Sequence, residues 1–158
     1  MDSNKVNRWL TLGANLGVLI GIILLIVELD QNRDMMRAQT RNELAMGIVE
    51  ILSVPAIETH IAIIMQRAAA GEELSAVEEI QFSHRTSAMY RYWENVHYQY
   101  RMGLYDGVEF SKQRDAWEQF LNTSIGHIKI WCTFRGNASP EFVREVDALL
   151  DQGACDST

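Results

Sequence analysis

The chain has 158 residues, of which 47% are hydrophobic and 22% are charged, with only two prolines and ten glycines. This length has room for one membrane span and one small domain, and the composition is that of a folded chain rather than a disordered one. The formal net charge of −7 at pH 7 argues against nucleic acid as a partner, because there is no excess of basic residues to neutralise phosphates.

The first predicted element is a transmembrane helix over residues 9–28, which follows a short polar tail over residues 1–8. Nineteen consecutive residues, from Trp9 to Val27, carry no charge. At about 1.5 Å per residue they extend about 29 Å, the thickness of the hydrocarbon core of a bilayer. A cleaved signal peptide fits less well, because the apolar run is long and no small-residue cleavage site follows it. The lipid bilayer is therefore the first predicted partner.

Three glycines, Gly13, Gly17 and Gly21, recur every four residues within this helix. They form a narrow ridge without side chains that Glu28 continues, and such GxxxGxxxG patterns let a second backbone approach closely. Glycine is also simply frequent in membrane helices. Asn15 lies on the opposite face, where its amide needs a hydrogen-bonding partner in hydrocarbon. Two such faces predict a homo-oligomer larger than a dimer, or equally an association with helices of other subunits.

The basic residues around the span predict its orientation by a narrow margin. Lys5 and Arg8 precede the span, whereas Arg33, Arg37 and Arg41 follow it. Because Lys and Arg are enriched on the cytoplasmic side, the count of three to two predicts a cytoplasmic domain. We also expect Arg33 and Arg37 to lie close enough to the membrane to contact lipid phosphates.

Behind the span, the sequence predicts a helical stalk over residues 29–54. Neither proline nor glycine interrupts the chain between Glu28 and Met46, so the membrane helix is expected to continue into water. Pro55 should stop or kink it. The apolar face of the stalk emerges late, at Leu44, Ile48, Ile51 and Leu52.

After the stalk, a small helical bundle is predicted over residues 55–152, and it completes an all-α fold that ends in a polar tail over residues 153–158. No run of residues alternates as a strand would. Ser75 and Glu78 have the spacing of a capping box, and Gly71 precedes them as a helix terminator. The predicted helices cover about 56–70, 75–103, 106–131 and 139–152.

The longest of these helices carries the residues with the most informative pattern. Six of them recur at spacings of three, four and seven, which indicates one buried face: Phe82, Met89, Tyr90, Trp93, Val96 and Tyr100. Packing in the core is the main interpretation. The alternative is an interaction groove on this helix, lined by Tyr90, Trp93, Glu94, His97 and Tyr100.

Glu94 and His97 form a Glu-x-x-His pair, the spacing used by di-iron carboxylate bundles. Such sites need two pairs and two further glutamates, whereas this chain has one pair. A pair on the helix surface or a core histidine is therefore the main interpretation, and a metal-binding bundle centred on these two residues is an alternative. No arrangement of nucleophile and base, phosphate-binding glycine loop or Cys-x-x-Cys is present, so we expect neither an enzyme nor a cofactor.

The two cysteines, Cys132 and Cys155, are too few for a disulfide framework. Cys132 lies between aromatic residues, in Trp131-Cys132-Thr133-Phe134, and is expected to be a small buried apolar group. Cys155 lies in the polar tail. The pair does not indicate a compartment or a redox state.

Two blocks of sequence resemble a large family of small bacterial membrane proteins. One runs over residues 20–32 and continues with Met36-Arg37-Ala38-Gln39-Thr40; the other runs from Tyr92 to Asp106, with Trp117 behind it. The resemblance implies a single-span protein of the bacterial inner membrane with its basic residues after the span. It implies no activity, cofactor or catalytic residue.

Together these patterns predict a non-enzymatic assembly or scaffold protein. Its membrane helix would join copies of the chain, and its helical domain would offer a surface for interaction. The alternative is an accessory subunit of a larger membrane enzyme complex, in which the glycine ridge would contact helices of other chains.

Overall fold

The computed structural model describes residues 3–156, which form α-helices and one short 3-10 helix but no strand. The predicted all-α fold is therefore confirmed. In chain order the elements are α1 (Ser3–Ile57), α2 (Thr59–Ala69), α3 (Ala76–Arg101), α4 (Gly107–Asn122), α5 (Ile125–Phe134), the 3-10 helix (Arg135–Asn137) and α6 (Pro140–Asp147).

The chain divides into two compact units, Met1–Gln39 and Thr40–Thr158, and we call the second unit the helical domain. In the first unit the described side chains of α1 are all exposed. The sequence placed the start of the bundle at residue 55, but the last turns of α1 already belong to the helical domain. The reason is that Thr40 and Leu44 are buried, and Leu44 belongs to the domain's hydrophobic core.

The end of α1 lies three residues later than predicted. The helix passes through Pro55 and ends at Ile57, after which Glu58 has an extended backbone conformation. A proline removes only its own N–H from the helical ladder, so residues beyond it can still bond to carbonyls one turn earlier. The Glu58 N–H does this when it donates to the carbonyl oxygen of Val54 at 2.8 Å.

One predicted helix, over residues 106–131, is in fact two helices, α4 and α5. They separate at Thr123 and Ser124, and Ser124 has an extended backbone with φ −160° and ψ 136°. The Ser124 hydroxyl oxygen accepts the Gly126 N–H at 3.1 Å and so caps α5. The Thr123 hydroxyl donates to the Phe120 carbonyl at 2.6 Å. Such local bonds of Ser and Thr compete with the helical ladder, which explains the break.

The predicted capping box at the start of α3 is confirmed. The Ser75 N–H donates to a Glu78 carboxylate oxygen at 2.7 Å, while Ser75 Oγ accepts the Glu78 N–H at 3.4 Å, which together form a capping box. Gly71 and Gly103 have φ values of 73° and 71°. Left-handed backbone is accessible to glycine without steric cost, so both positions suit the chain reversal after a helix.

The core of the helical domain is built around α3, which packs against α2, α4, α5 and α6. Tyr90 is fully buried, and its hydroxyl donates to the backbone carbonyl of His127 at 2.7 Å. Its ring lies edge-on to Trp93 and Trp131, at 5.1 and 5.4 Å between centroids. Trp93 in turn stacks on Trp117 at 5.2 Å. Aromatic contacts between α3, α4 and α5 therefore form the centre of the core.

Cys132 and Cys155 are joined by a disulfide, with their Cα atoms 5.3 Å apart. Cys132 is therefore one half of a disulfide and not the small buried thiol that its position between aromatic residues predicts. The cause is the short last helix: α6 ends at Asp147, and the turns that follow bring Cys155 back to α5. Sequence spacing alone does not reveal this return, because the two cysteines are 23 residues apart.

Candidate functional site

The first candidate site is the apolar part of α1. This helix is long and apolar enough to cross a membrane, and its most apolar stretch has no buried residue. Large hydrophobic side chains point outward along its whole length, from Trp9, which is 73% exposed, to Leu29, which is 60% exposed. Exposed apolar surface of this extent is stable in hydrocarbon or against another chain, but not in water.

The glycine ridge lies open on this helix. A Cβ atom built at Gly13, Gly17 or Gly21 would meet no described atom of the chain within 4 Å. The ridge is about 12 Å long, because eight residues separate its ends and each adds about 1.5 Å. Glu28 follows in the same stripe and is exposed. A second helix could therefore approach the backbone here without displacing any side chain.

The opposite face of α1 carries a stripe of polar residues. Asn15 is the one residue of this stripe that the sequence analysis assigns to that face. A shallow groove on that face is lined by Asn4, Asn7, Arg8, Thr11, Leu12 and Asn15. The Thr11 hydroxyl donates to the Asn7 carbonyl at 3.0 Å. The helical spacing of the polar residues, three or four apart, is visible in the sequence and could have revealed the stripe.

Arg33 and Arg37, the predicted lipid-phosphate contacts, are both exposed on α1. Arg37 pairs with Asp34 one turn earlier, at 3.7 Å between the guanidinium nitrogen and the carboxylate oxygen. An exposed pair of this kind contributes only about 0.3–0.5 kcal/mol, so the arginine can readily exchange its carboxylate for another anion.

The residues of the predicted groove on α3 are divided between core and surface. Tyr90, Trp93 and His97 are 0%, 3% and 5% exposed, so the domain itself encloses them. Tyr100 is 39% exposed and stacks on Phe110, with 4.0 Å between ring centroids. In the described domain these side chains therefore do not line one open groove, and the core interpretation fits their burial.

Glu94 connects α3 to the start of α6. Its carboxylate accepts the backbone N–H of Ser139 at 2.7 Å and a guanidinium N–H of Arg91 at 2.6 Å. Arg91 also donates to the Asn137 carbonyl at 3.1 Å and covers the Phe134 ring at 4.6 Å. Burial raises the pKa of Glu94, but the hydrogen bonds from Ser139 and Arg91 outweigh it, and the net shift is downward.

His97 does not share a partner with Glu94. Its ring lies between Phe110 and Phe142, at 5.9 and 5.8 Å, and its Nε2 is 3.9 Å from a carboxylate oxygen of Glu145. Burial lowers the pKa of His97, although the Glu145 charge opposes the shift. Within the described residues, no group of three or more His, Cys, Asp or Glu side chains could hold a metal ion. Glu94 accepts a backbone N–H at the start of α6, and His97 packs between two aromatic rings.

A second buried histidine, His127, has no role in the sequence-based predictions. It is 5% exposed and lies between the rings of Phe82 and Phe120, at 5.3 and 4.0 Å. Its Nδ1 is 3.0 Å from the Phe120 carbonyl oxygen, whereas its Nε2 has no hydrogen-bonding partner among the described residues. Burial lowers the pKa of His127. The domain therefore contains two histidines whose burial disfavours the protonated form.

No protein family, curated protein or solved structure matches the chain. The resemblance to small single-span bacterial membrane proteins stays a prediction. Evidence for a function comes from the exposed surfaces of α1 and from the closed packing of the helical domain.

Proposed function

We propose that this chain is a non-enzymatic assembly protein of the bacterial inner membrane, anchored by α1 and joined to further copies of itself through that helix. The observation that carries the proposal is the open glycine ridge. Gly13, Gly17 and Gly21 occupy one face of an exposed apolar helix, and each has free space where a side chain would be.

The physical basis of the association is close contact between backbones. Lipid chains are as apolar as leucine, so burial of hydrophobic surface does not drive helices together within a bilayer. A ridge of glycines instead allows many van der Waals contacts and weak Cα–H···O bonds at short interaxial distance. Copies inserted in the same membrane share one orientation, so the ridge of one copy faces an identical ridge on another.

The polar stripe opposite the ridge supports an assembly larger than a dimer. Asn15 and Thr11 lie in the apolar segment and gain by hydrogen bonding to a neighbouring helix. A dimer through the ridge leaves this face toward lipid, whereas a ring of copies brings ridge and stripe into contact with different neighbours.

A second part of the proposal is that the helical domain offers a surface for contact with other proteins. Along the last turns of α1, one face is buried in the domain, while Met46, Val49 and Ile57 are 62%, 58% and 75% exposed. On the adjoining helix α2, Ile63 is 49% exposed. Met46 and Val49 are three residues apart and so lie on the same face of α1, and exposed hydrophobic side chains on one face are typical of surfaces that contact other proteins.

The test is the mass of the complex in mild detergent, compared between wild type, Gly17→Leu and a control. The control Ile23→Phe adds bulk at a position about 120° from the centre of the ridge. We expect a homogeneous multiple of 18.0 kDa for wild type and for the control, but a smaller mass for Gly17→Leu, with membrane insertion unchanged in all three.

Two outcomes would contradict the proposal. If Gly17→Leu assembles like wild type, the glycine ridge is not the contact face. If wild type purifies from its native membrane with other chains in fixed ratio, the ridge serves a hetero-complex, and the accessory-subunit hypothesis is the better one.

A further inference from the structure

The only two cysteines of the chain are joined to each other. Cys132 lies on α5 and Cys155 lies in the turn segment that follows α6, and their sulfurs form a disulfide with a Cα–Cα distance of 5.3 Å. The separation is within the range that disulfides require, so no backbone movement is needed to make the bond. The fold itself therefore brings this pair together.

Disulfides persist in oxidising compartments, whereas thioredoxin and glutathione keep cytosolic thiols reduced. We infer that the helical domain lies on the oxidising, extracytoplasmic face of the membrane, where thiol–disulfide exchange joins Cys132 to Cys155. The inference concerns the side of the membrane and the covalent state of the domain. It does not depend on whether copies assemble through the glycine ridge.

The exchange needs an oxidant, which is the disulfide of an extracytoplasmic dithiol oxidase. The thiolate of one cysteine attacks that disulfide and forms a mixed disulfide, and one oxidase sulfur leaves as a thiolate. The thiolate of the second cysteine then attacks the sulfur of the first. The Cys132–Cys155 bond forms and the second oxidase sulfur leaves. The pair loses two electrons and two protons, and the oxidase is reduced to its dithiol.

The count of basic residues favours the opposite side by a single residue, three against two. Arg41 supplies that margin, and in the folded domain it pairs with Glu109 at 2.8 Å. Without Arg41 the count is two on each side, so the positive-inside rule then favours neither orientation. A covalent bond between the only two thiols is more specific evidence, because it requires a compartment in which it can form and persist.

The disulfide also holds the end of the domain against its core. Next to Cys132, the indole N–H of Trp131 donates to Asp147 at 2.9 Å, and Arg135 pairs with the same carboxylate at 2.9 Å. Asp147 is the last residue of α6, from which the chain turns toward Cys155. The bond thus closes a loop of about two dozen residues next to the buried Trp131. Its loss should lower the melting temperature of the domain by about 10 °C.

Two measurements on the full chain test the inference. The first fuses, after the last residue, either a phosphatase that is active only in the periplasm or a green fluorescent protein that folds only in the cytoplasm. The second denatures membranes in the presence of a maleimide carrying a large polymer, with and without prior reduction, and counts labelled cysteines by gel shift. The Cys132→Ser, Cys155→Ser double variant is the control that should show no label in either condition.

We expect phosphatase activity without fluorescence, no labelled thiol before reduction and two after it. In a bacterial host that lacks the periplasmic dithiol oxidase, both thiols should label without reduction. Fluorescence of the fusion would overturn the inference, and so would two reactive thiols in the normal host. Each result is independent of the oligomer mass, so failure here and failure of the proposed assembly are distinguishable.

Discussion

Replacing Glu94 removes the carboxylate that joins α3 to the start of α6. That carboxylate accepts the Ser139 N–H at 2.7 Å, and Ser139 is the residue before Pro140, the first residue of α6. The Ser139 side chain makes no capping bond of its own. The backbone N–H therefore depends on a residue that is 45 positions away in the sequence.

The expected cost follows from the charge and burial of this bond. Hydrogen bonds to charged groups contribute about 1.5–3 kcal/mol, and leaving a partly buried N–H without its acceptor costs about 1–3 kcal/mol. We expect Glu94→Ala to lower the free energy of unfolding by about 2 kcal/mol, which for a domain of this size lowers the melting temperature by about 8 °C. Glu94→Gln keeps an acceptor but loses the charge, so about half of that effect is expected.

The assay is thermal unfolding of the full chain in mild detergent, followed by tryptophan fluorescence. Glu118, an exposed residue on α4, provides the control: Glu118→Ala should change stability by less than about 0.5 kcal/mol. Because the pKa of Glu94 is lowered in the fold, its contribution is present above pH ~4.5 and is lost as the pH falls further. The difference in free energy of unfolding between wild type and Glu94→Gln should therefore become smaller as the pH falls through this range. Equal stability of Glu94→Ala and Glu118→Ala would refute the reasoning.

Two further predictions concern the core. Trp93→Ala removes a ring that is 3% exposed and stacks on Trp117, and it should cost about 3–5 kcal/mol in urea unfolding; a loss below about 1 kcal/mol would contradict its central position. Burial lowers the pKa of both His97 and His127. Below pH ~6.5 the unfolded chain therefore binds protons that the folded domain does not, and stability should fall by up to about 1.4 kcal/mol per histidine for each pH unit. His127→Gln should make the free energy of unfolding depend less on pH between pH ~7.5 and ~5.5. If the pH dependence of the variant equals that of wild type, His127 does not contribute to it.

The capping box of α3 is predictable because its signal is local. Its two hydrogen bonds join Ser75 and Glu78, three positions apart, so the residue types and their spacing suffice. The break at Ser124 was missed although its signal is also local: Thr123 and Ser124 each offer a hydroxyl to the backbone. The apolar residues that flank them continue the helical period across the break, and that continuity predicted one helix where there are two.

The partners of Glu94 and His97 could not be predicted from spacing along α3. Both side chains turn toward α6, which the sequence places more than 40 residues later. Helical spacing identifies which residues share a face, but not which other helix covers that face. The same reason explains why Tyr90, Trp93 and His97 were compatible with either a groove or a core until their burial was known.

The sequence by itself determined the all-α class, the apolar helix long enough for a membrane and the open row of Gly13, Gly17 and Gly21. These features follow from composition and from the spacing of residues along one helix, so a few neighbouring residues are enough to define them. Only the tertiary structure decided the Cys132–Cys155 bond, the division between core and surface on α3 and the place of the last turns of α1 in the helical domain. Each of these depends on contacts between helices distant in the chain, which are set by how the apolar faces pack together.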